Sequence, residues 1–366
     1  MSTFKITVLP GDYIGPEVIA EARRVLDAVS RRFGHEFRYT EALAGGAAYE
    51  AHGEHLPQST IDACAAGDAI LKGPFGGPTQ EINNPKWQGV EQNAILPLRK
   101  HFDLYLNLRP VVVPDALLGL SPLKEEYVRG TDMLICRELA SGIYFGPRGE
   151  RQIEGPHEKL QREVWDTEQY NEHEVSRFSR DCFRLAQGRR KKMTLISKSN
   201  VMSTGLFWRE VVDGVAKEFP DVAFDYMHVD NAAMQLIVNP RQFDVICSSN
   251  MFGDILSDEA AGLLRSLGMG PSASLNEHGF GLYEPIHGSA PDIAGQGKAN
   301  PIAAILSAAM MLRLSFDLPE AAAAVESAVD AALASGARTP DIASAGEAVV
   351  STTEMGRLIV EAVATA

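Results

Sequence analysis

The chain has no surplus of basic residues: 34 Lys and Arg stand against 48 Asp and Glu, a net charge of −14 over 366 residues. Binding to DNA, RNA or an anionic membrane depends on Lys and Arg that neutralise phosphate, so a general partnership with those polyanions is not expected. The one basic run, Arg189 to Lys192, reads as a solvated turn. Cysteine is scarce as well. Cys64, Cys136, Cys182 and Cys247 show no CxxC spacing, which points to neither a zinc site nor a disulfide framework and fits reduced thiols. The longest apolar stretch, near Pro301 to Leu312, falls short of the roughly 20 residues of a membrane span. The opening MSTFKITVLPGD lacks the apolar centre of a secretion signal, so a cytoplasmic protein is expected. A GxGxxG fingerprint is missing after the first strand, and GFGLYE around Gly279 lacks both the third glycine and the strand-to-helix setting. An ordinary Rossmann site is therefore not expected.

What is present fits a folded α/β protein. Apolar residues make up 45% and charged residues 22%, and the length suits two domains, one interrupting the other. Phe4, Ile6 and Val8 alternate as in a strand. After the GDYIGPE turn, Val18, Ala22, Val25, Leu26 and Val29 recur at helical spacing, with Pro16 suited to the first helical turn. AGDAILKGP, DLYLNLRPVVV, KKMTLISKSNV, VAFDYMHVD and FDVICSSN read as further strands, several running into loops. The polar stretch 150–166 reads as an arm or hairpin, and Pro319 to Ser335 as an alanine-rich structural helix.

Three groups of residues carry chemistry. In NMFGDILSDEA, Asp254 and Asp258 are four apart, so on a helix their carboxylates share a face. Such a pair is either a solvated helix face or a seat for a hard divalent cation such as Mg²⁺ or Mn²⁺. Arg99, Arg109 and Arg137 sit beside apolar strand sequence; they are either surface ion-pair partners or a convergent trio of forks for a dicarboxylate. Tyr144 in SGIYFG and Lys198 in ISKSNV read, in isolation, as a packed tyrosine and a surface lysine. His287, alone, is equally a structural or a ligand-contacting histidine.

NMFGDILSDEAAGLLRSLGMGPSASL, DYMHVDNAAMQL and GLYEPIHGSAPDIAGQGKANPIAAILSAAMML, in that company and nearly end to end, resemble the isocitrate/isopropylmalate dehydrogenase family of β-decarboxylating dehydrogenases, and its isopropylmalate branch in particular. The resemblance implies an α/β, two-domain fold: an outer cofactor-binding domain from 1–104 plus 265–366, and a central dimerisation domain from 105–264 that includes the arm. It implies an NAD-dependent oxidative decarboxylation of a 3-substituted malate, 3-isopropylmalate to 2-oxo-4-methylpentanoate, in leucine biosynthesis. It assigns the metal to Asp230, Asp254 and Asp258, and proton transfer to Lys198 and Tyr144. Substrate contacts fall to Arg99, Arg109, Arg137 and Asp230, with Glu91 facing the nicotinamide. Cofactor contacts fall to Ile14, Glu284, His287, Gly288, Ser289, Ala290, Asp292 and Asn300. The carboxylate of Asp292 suits the ribose hydroxyls of NAD and would repel the 2′-phosphate of NADP. The family is homodimeric, with Lys198 and Asp230 completing the partner's site.

Ile95 and Leu96 supply an apolar approach suited to an alkyl substituent, where isocitrate-type relatives place small polar residues. Departures from the isopropylmalate pattern are Tyr13 for a glycine, Ser197 for an acid, Gly270 for a leucine, Lys72, and the loop Thr79 to Gly89. They leave open a paralogue acting on isocitrate, homoisocitrate, tartrate, D-malate or another 3-alkylmalate. A silent regulatory subunit would have lost the acid, base or metal ligands, and all of them are retained.

Overall fold

The computed structural model describes residues 2–156 and 159–365. Twelve strands are β1 (Thr3–Leu9), β2 (Glu36–Glu41), β3 (Ala69–Lys72), β4 (Leu106–Val112), β5 (Asp132–Glu138), β6 (Arg148–Glu154), β7 (Leu160–Asp166), β8 (Lys192–Ser197), β9 (Ala223–His228), β10 (Val245–Ser248), β11 (Pro271–Leu275) and β12 (Gly281–Pro285). The α-helices are α1 (Gly15–Phe33), α2 (Gly46–His52), α3 (Gln58–Ala65), α4 (Leu96–His101), α5 (Glu125–Val128), α6 (Glu172–Gln187), α7 (Ser203–Ala216), α8 (Val229–Val238), α9 (Asn250–Ala261), α10 (Ile302–Leu314), α11 (Pro319–Ala334) and α12 (Thr352–Thr365).

Ten strands form one mixed sheet in the order β2-β1-β3-β12-β11-β4-β5-β10-β8-β9. Both flanks are parallel, but β12-β11, β11-β4 and β4-β5 pair antiparallel, so chain direction reverses across a central seam. Strands from the two chain ends lie on one side of this seam and those from the middle of the chain on the other. β6 and β7 make a separate antiparallel hairpin.

Local chemistry explains the elements that frame the seam. Helix α1 takes Pro16 in its first turn and buries Val18, Ile19, Ala22, Val25, Leu26 and Val29. It ends where Gly34 adopts a left-handed φ of 72° and donates to the Ser30 carbonyl. Helix α6 opens with a capping box, Asn171 accepting from the Glu174 amide while Glu174 accepts from Asn171. α10 buries Ile302, Ile305, Ala308, Met311 and Leu312 and packs on β11 and β12.

Two expectations change. Arg189 is no solvated turn residue: its guanidinium bridges Asp132 and the buried Asp244 at 2.6 and 2.9 Å, tying the start of β5 to the entry of β10. Three of the scattered thiols, Cys136, Cys182 and Cys247, meet in the core, free and buried. Residues 46 to 111 apart in sequence converge there because β5 and β10 pair in register under α6.

Gly253 lets α9 approach β5: a Cβ there would stand 2.7 Å from Cβ of Arg137. Gly253→Ala should push α9 off the strand, costing about 1–3 kcal/mol in urea denaturation and lowering catalytic turnover, because Asp254 and Asp258 ride on the same helix.

Candidate active site

The seam places polar residues in a row. Ser272 of β11 pairs with Glu284 of β12, Tyr283 pairs with Leu71, and Ala273 pairs with Leu108. Lys72, Glu284, Ser272 and Arg109 therefore lie side by side on one face of four neighbouring strands, since alternate residues share a face. With Pro74, Phe75, Glu91, Ile95, Arg99 and His287 they line a cavity of about 150 Å³. Glu91 and Ile95 bound a π-helical turn leading into α4, which carries Arg99 over the row.

Lys72 and Glu284 form a buried ion pair at 2.5 Å, and Arg99 reaches the other Glu284 oxygen at 3.3 Å. The Lys72 ammonium also sits 4.0 Å from the Phe75 ring centroid. Burial works against ionisation of Glu284, but Lys72 and then Arg99 outweigh it and hold the carboxyl at about 2. Glu284, an expected cofactor residue, thus has its carboxylate engaged in anchoring two cations of the cavity. The Arg99 Nε is buried without a hydrogen-bond partner, so one donor remains for an anionic ligand.

On the middle-chain side, Arg137 at the end of β5 is fully buried and ion-paired with Asp254 of α9. Burial, then Arg109, lowers its pKa to about 9. Arg109 contacts Asp258 at 2.9 Å and Asp254 at 3.4 Å, and donates to the Ser257 hydroxyl at 2.7 Å. Tyr144 donates to Asp254 at 3.0 Å; burial and then the Asp254 charge raise its pKa, favouring the protonated phenol. Asp258 is also raised, chiefly by burial. The helical spacing of Asp254 and Asp258 thus delivers both carboxylates to Arg109, and Asp254 to Arg137 as well.

Several contributors escaped the sequence reading. Asn250, at the head of α9, accepts from Arg137 Nε and Nη2 at 3.0 and 2.8 Å and donates to the Ser141 carbonyl at 2.8 Å. The Ser-Ser-Asn before an apolar helix was the available signal. Glu138, pushed up to about 7 by burial, accepts from the amides of Ala140 and Ser141 and shapes the loop leading to Tyr144. Asp12 accepts from the amides of Gly46, Ala47 and Gly76, joining three loops at the cavity rim.

Other expected residues lie elsewhere. Lys198 and Asp230 pair with each other at 2.8 Å and make no ion pair with the Arg137–Asp254 cluster. Among the described residues no group of three or more His, Cys, Asp or Glu gathers to hold a metal. Leu96 does not line the cavity; it is half-buried against the smaller core cluster, while Ile95 does line it. Ile14 is buried in the main core, and its amide donates to the Ser289 carbonyl at 3.1 Å. Both ends of the Asn300 amide are committed, to Asp341 and to the Ile302 amide that opens α10.

The loop 287–292 keeps free groups. His287 has a buried Nε2 without a partner, and burial lowers its pKa, so it is a neutral imidazole. Gly288 lines the cavity, Ala290 holds a left-handed φ of 40°, and Asp292 is exposed. Tyr13 likewise adopts φ 51°, which accounts for a glycine as the less strained occupant; its ring packs on Trp87, 5.4 Å between centroids. Gly270 stands where a Cβ would meet Ile286 at 2.4 Å. Nothing in the structure explains Ser197.

The isocitrate/isopropylmalate dehydrogenase family model matches residues 5–359. A 3-isopropylmalate dehydrogenase of Geobacillus kaustophilus is 55% identical over 97% of this chain and 94% of its own length. One of Mannheimia succiniciproducens is 52% identical over 99% and 100%. Among solved structures, the isocitrate dehydrogenase of Methylococcus capsulatus matches with a TM-score of 0.85 at 34% identity, covering 99% of this chain and 100% of that one. A β-decarboxylating dehydrogenase of Thermococcus kodakarensis matches with a TM-score of 0.78 at 32% identity, covering 98% and 96%.

Removing one partner of a buried pair leaves the other charge uncompensated. Lys72→Met should cost about 3 kcal/mol at pH 7 by urea denaturation. Because Glu284 titrates lower folded than unfolded, its contribution is complete above the ordinary carboxylate range near 4.5 and is lost as pH falls toward 2. The variant should begin to lose stability at a higher pH than the parent.

Proposed function

The chain belongs to the isocitrate/isopropylmalate dehydrogenase family, and on that premise we propose that it oxidises and decarboxylates 3-isopropylmalate to 2-oxo-4-methylpentanoate, a step of leucine biosynthesis. The observation that carries the site reading is the convergence of Arg99, Arg109 and Arg137 on the seam, with Arg109 and Arg137 against Asp254 and Asp258. Guanidinium forks bind the substrate carboxylates, and Ile95 gives the alkyl group an apolar wall. Isocitrate and its homologues are less favoured, since the curated relatives named here are isopropylmalate enzymes.

The donor set of Asp254 and Asp258, carboxylate oxygens only, suits Mg²⁺ or Mn²⁺, and the unpartnered His287 Nε2, the open backbone at Gly288 and the exposed Asp292 suit a dinucleotide. If bound there, the cation would polarise the C2 oxygen and stabilise the developing enolate charge, and NAD⁺ would accept the C2 hydrogen with its electron pair as hydride. Lys198 removes the proton of the C2 hydroxyl, and Tyr144, held as the phenol, protonates C3 after CO₂ departs. The arginines hold the carboxylates in place through both steps. Asp292 favours NAD over NADP.

We further propose a homodimer in which Lys198 and Asp230 serve the site of the other subunit. In support, Lys198 and Asp230 stand apart from the arginine cluster within one chain, and α8 and α9 expose Met234, Ile237, Val238 and Ile255. The domain division at 104 and 265 coincides roughly with the seam, and closure across it would exclude water from the charged site. No helix among the described residues is long and apolar enough to cross a membrane. The four free thiols suit the reducing cytoplasm.

NADH formation from 3-isopropylmalate with Mn²⁺ should exceed that from isocitrate, homoisocitrate, tartrate and D-malate; brisk turnover of another acid alone would reject the substrate. Lys198→Met and Tyr144→Phe homodimers should each be nearly inactive. Refolded together as an equal mixture, they should regain about a quarter of parental activity, since random pairing leaves one intact site per heterodimer. No recovery would reject sites shared between subunits.

A further inference from the structure

A second cavity is larger than the polar one. A recess of about 740 Å³ opens on the other face of the same strands. Pro110 and Pro271 line it, whereas their chain neighbours Arg109 and Ser272 line the polar cavity, so β4 and β11 present one side chain to each in turn. The chain crossing at Val112–Ala116 forms one wall, Leu306 and Met310 of α10 the floor, and Glu326, Val329, Asp330, Leu333 and Ala334 of α11 the opposite wall. That α11 stripe follows helical spacing.

The lining has a definite chemistry. It is mostly apolar and contains no Lys, Arg or His, but it does contain four carboxylates: Asp115, Asp132, Glu326 and Asp330. Three of these are compensated from outside the recess, Asp115 by Arg129, Asp132 by Arg189 and Glu326 by Arg313. Asp330, solvent-exposed, has no ion pair among the described residues, and partial desolvation followed by the Glu326 charge raises its pKa. An anion would meet only like charge here, whereas a cation placed at Asp330 would meet the one carboxylate of the lining that no guanidinium engages. The volume lies within the range of small-molecule sites.

We propose that this recess binds a small molecule with an apolar body and a protonated amine, the amine pairing with Asp330 and the body packing on Val112, Leu306, Met310 and Val329. Such a ligand lies against the backs of Arg109 and Ser272 without occupying their cavity.

The test is calorimetric titration of the intact protein at pH 7.5 with three probes of one shape: 4-phenylbutylamine, 4-phenylbutanol and 4-phenylbutyrate. The amine should bind about tenfold or more tightly than the alcohol, a difference of about 1.4 kcal/mol, and the carboxylate should bind weakest. Asp330→Asn should erase the preference for amine over alcohol. Ala116→Trp and Ala334→Trp, which fill the recess from opposite walls, should each abolish amine binding while circular dichroism reports a folded chain. Saturating 3-isopropylmalate should not displace the amine. The proposal fails if the alcohol matches the amine, if Asp330→Asn keeps the preference, if both tryptophan variants still bind, if the dicarboxylate competes, or if none of the probes binds.

Discussion

Arg137 is the side chain on which the site depends. It is a fully buried guanidinium at the end of β5, and an unpaired charge in that position would cost several kcal/mol. Its partners are therefore structural requirements: Asp254 supplies the countercharge, Asn250 satisfies the remaining donors, and Gly253 lets α9 come close enough for both to reach. Three successive features of one helix turn exist to keep one arginine charged in a dry place. Asp258 and Tyr144 then follow from that placement, the first one helical turn beyond Asp254 and the second by donating to it.

The same reasoning links the ligands. Within the chain the arginines and aspartates neutralise one another. On the proposed reading, a dicarboxylate and a divalent cation arriving together would carry no net charge, so the arginines would turn to the substrate and the aspartates to the cation while the buried charge stayed balanced. On that reading a strongly acidic protein would bind a dianion because local pairing matters at the seam, where the −14 of the whole chain has little influence across screened distances.

Much of the site was legible from residue type and spacing. Asp254 and Asp258 at i and i+4 pointed to one helix face, and Arg99, Arg109 and Arg137 pointed to a convergent anion site. What was not legible arose from pairings between distant segments. Glu284 reads as a cofactor residue from its neighbours in sequence, yet Lys72, 212 residues away, takes its carboxylate because β3 and β12 are adjacent in the sheet. Leu96 looks equivalent to Ile95 in the chain, but one residue of helix turns it about 100° away, so Ile95 lines the polar cavity and Leu96 does not. Asn250 carried only the weak signal of a helix start, and its use by Arg137 depends on β5 and β10 pairing.

The sequence alone determined the chemistry available: an α/β pattern, oxygen ligands for a hard cation, arginines for carboxylates, a phenol and an amine for proton transfer, and membership of a dehydrogenase family legible in its long motifs. It could do so because those properties belong to residue types and to short periodic stretches. Only the tertiary structure decided which charges meet. It also decided that the strands reverse direction at a central seam, that one face of β4 and β11 is polar while the other lines an apolar recess, and that Lys198 and Asp230 pair with each other apart from the arginine cluster. Those outcomes depend on strand order and register, which are set by packing the whole core and are not encoded in any local stretch of the chain.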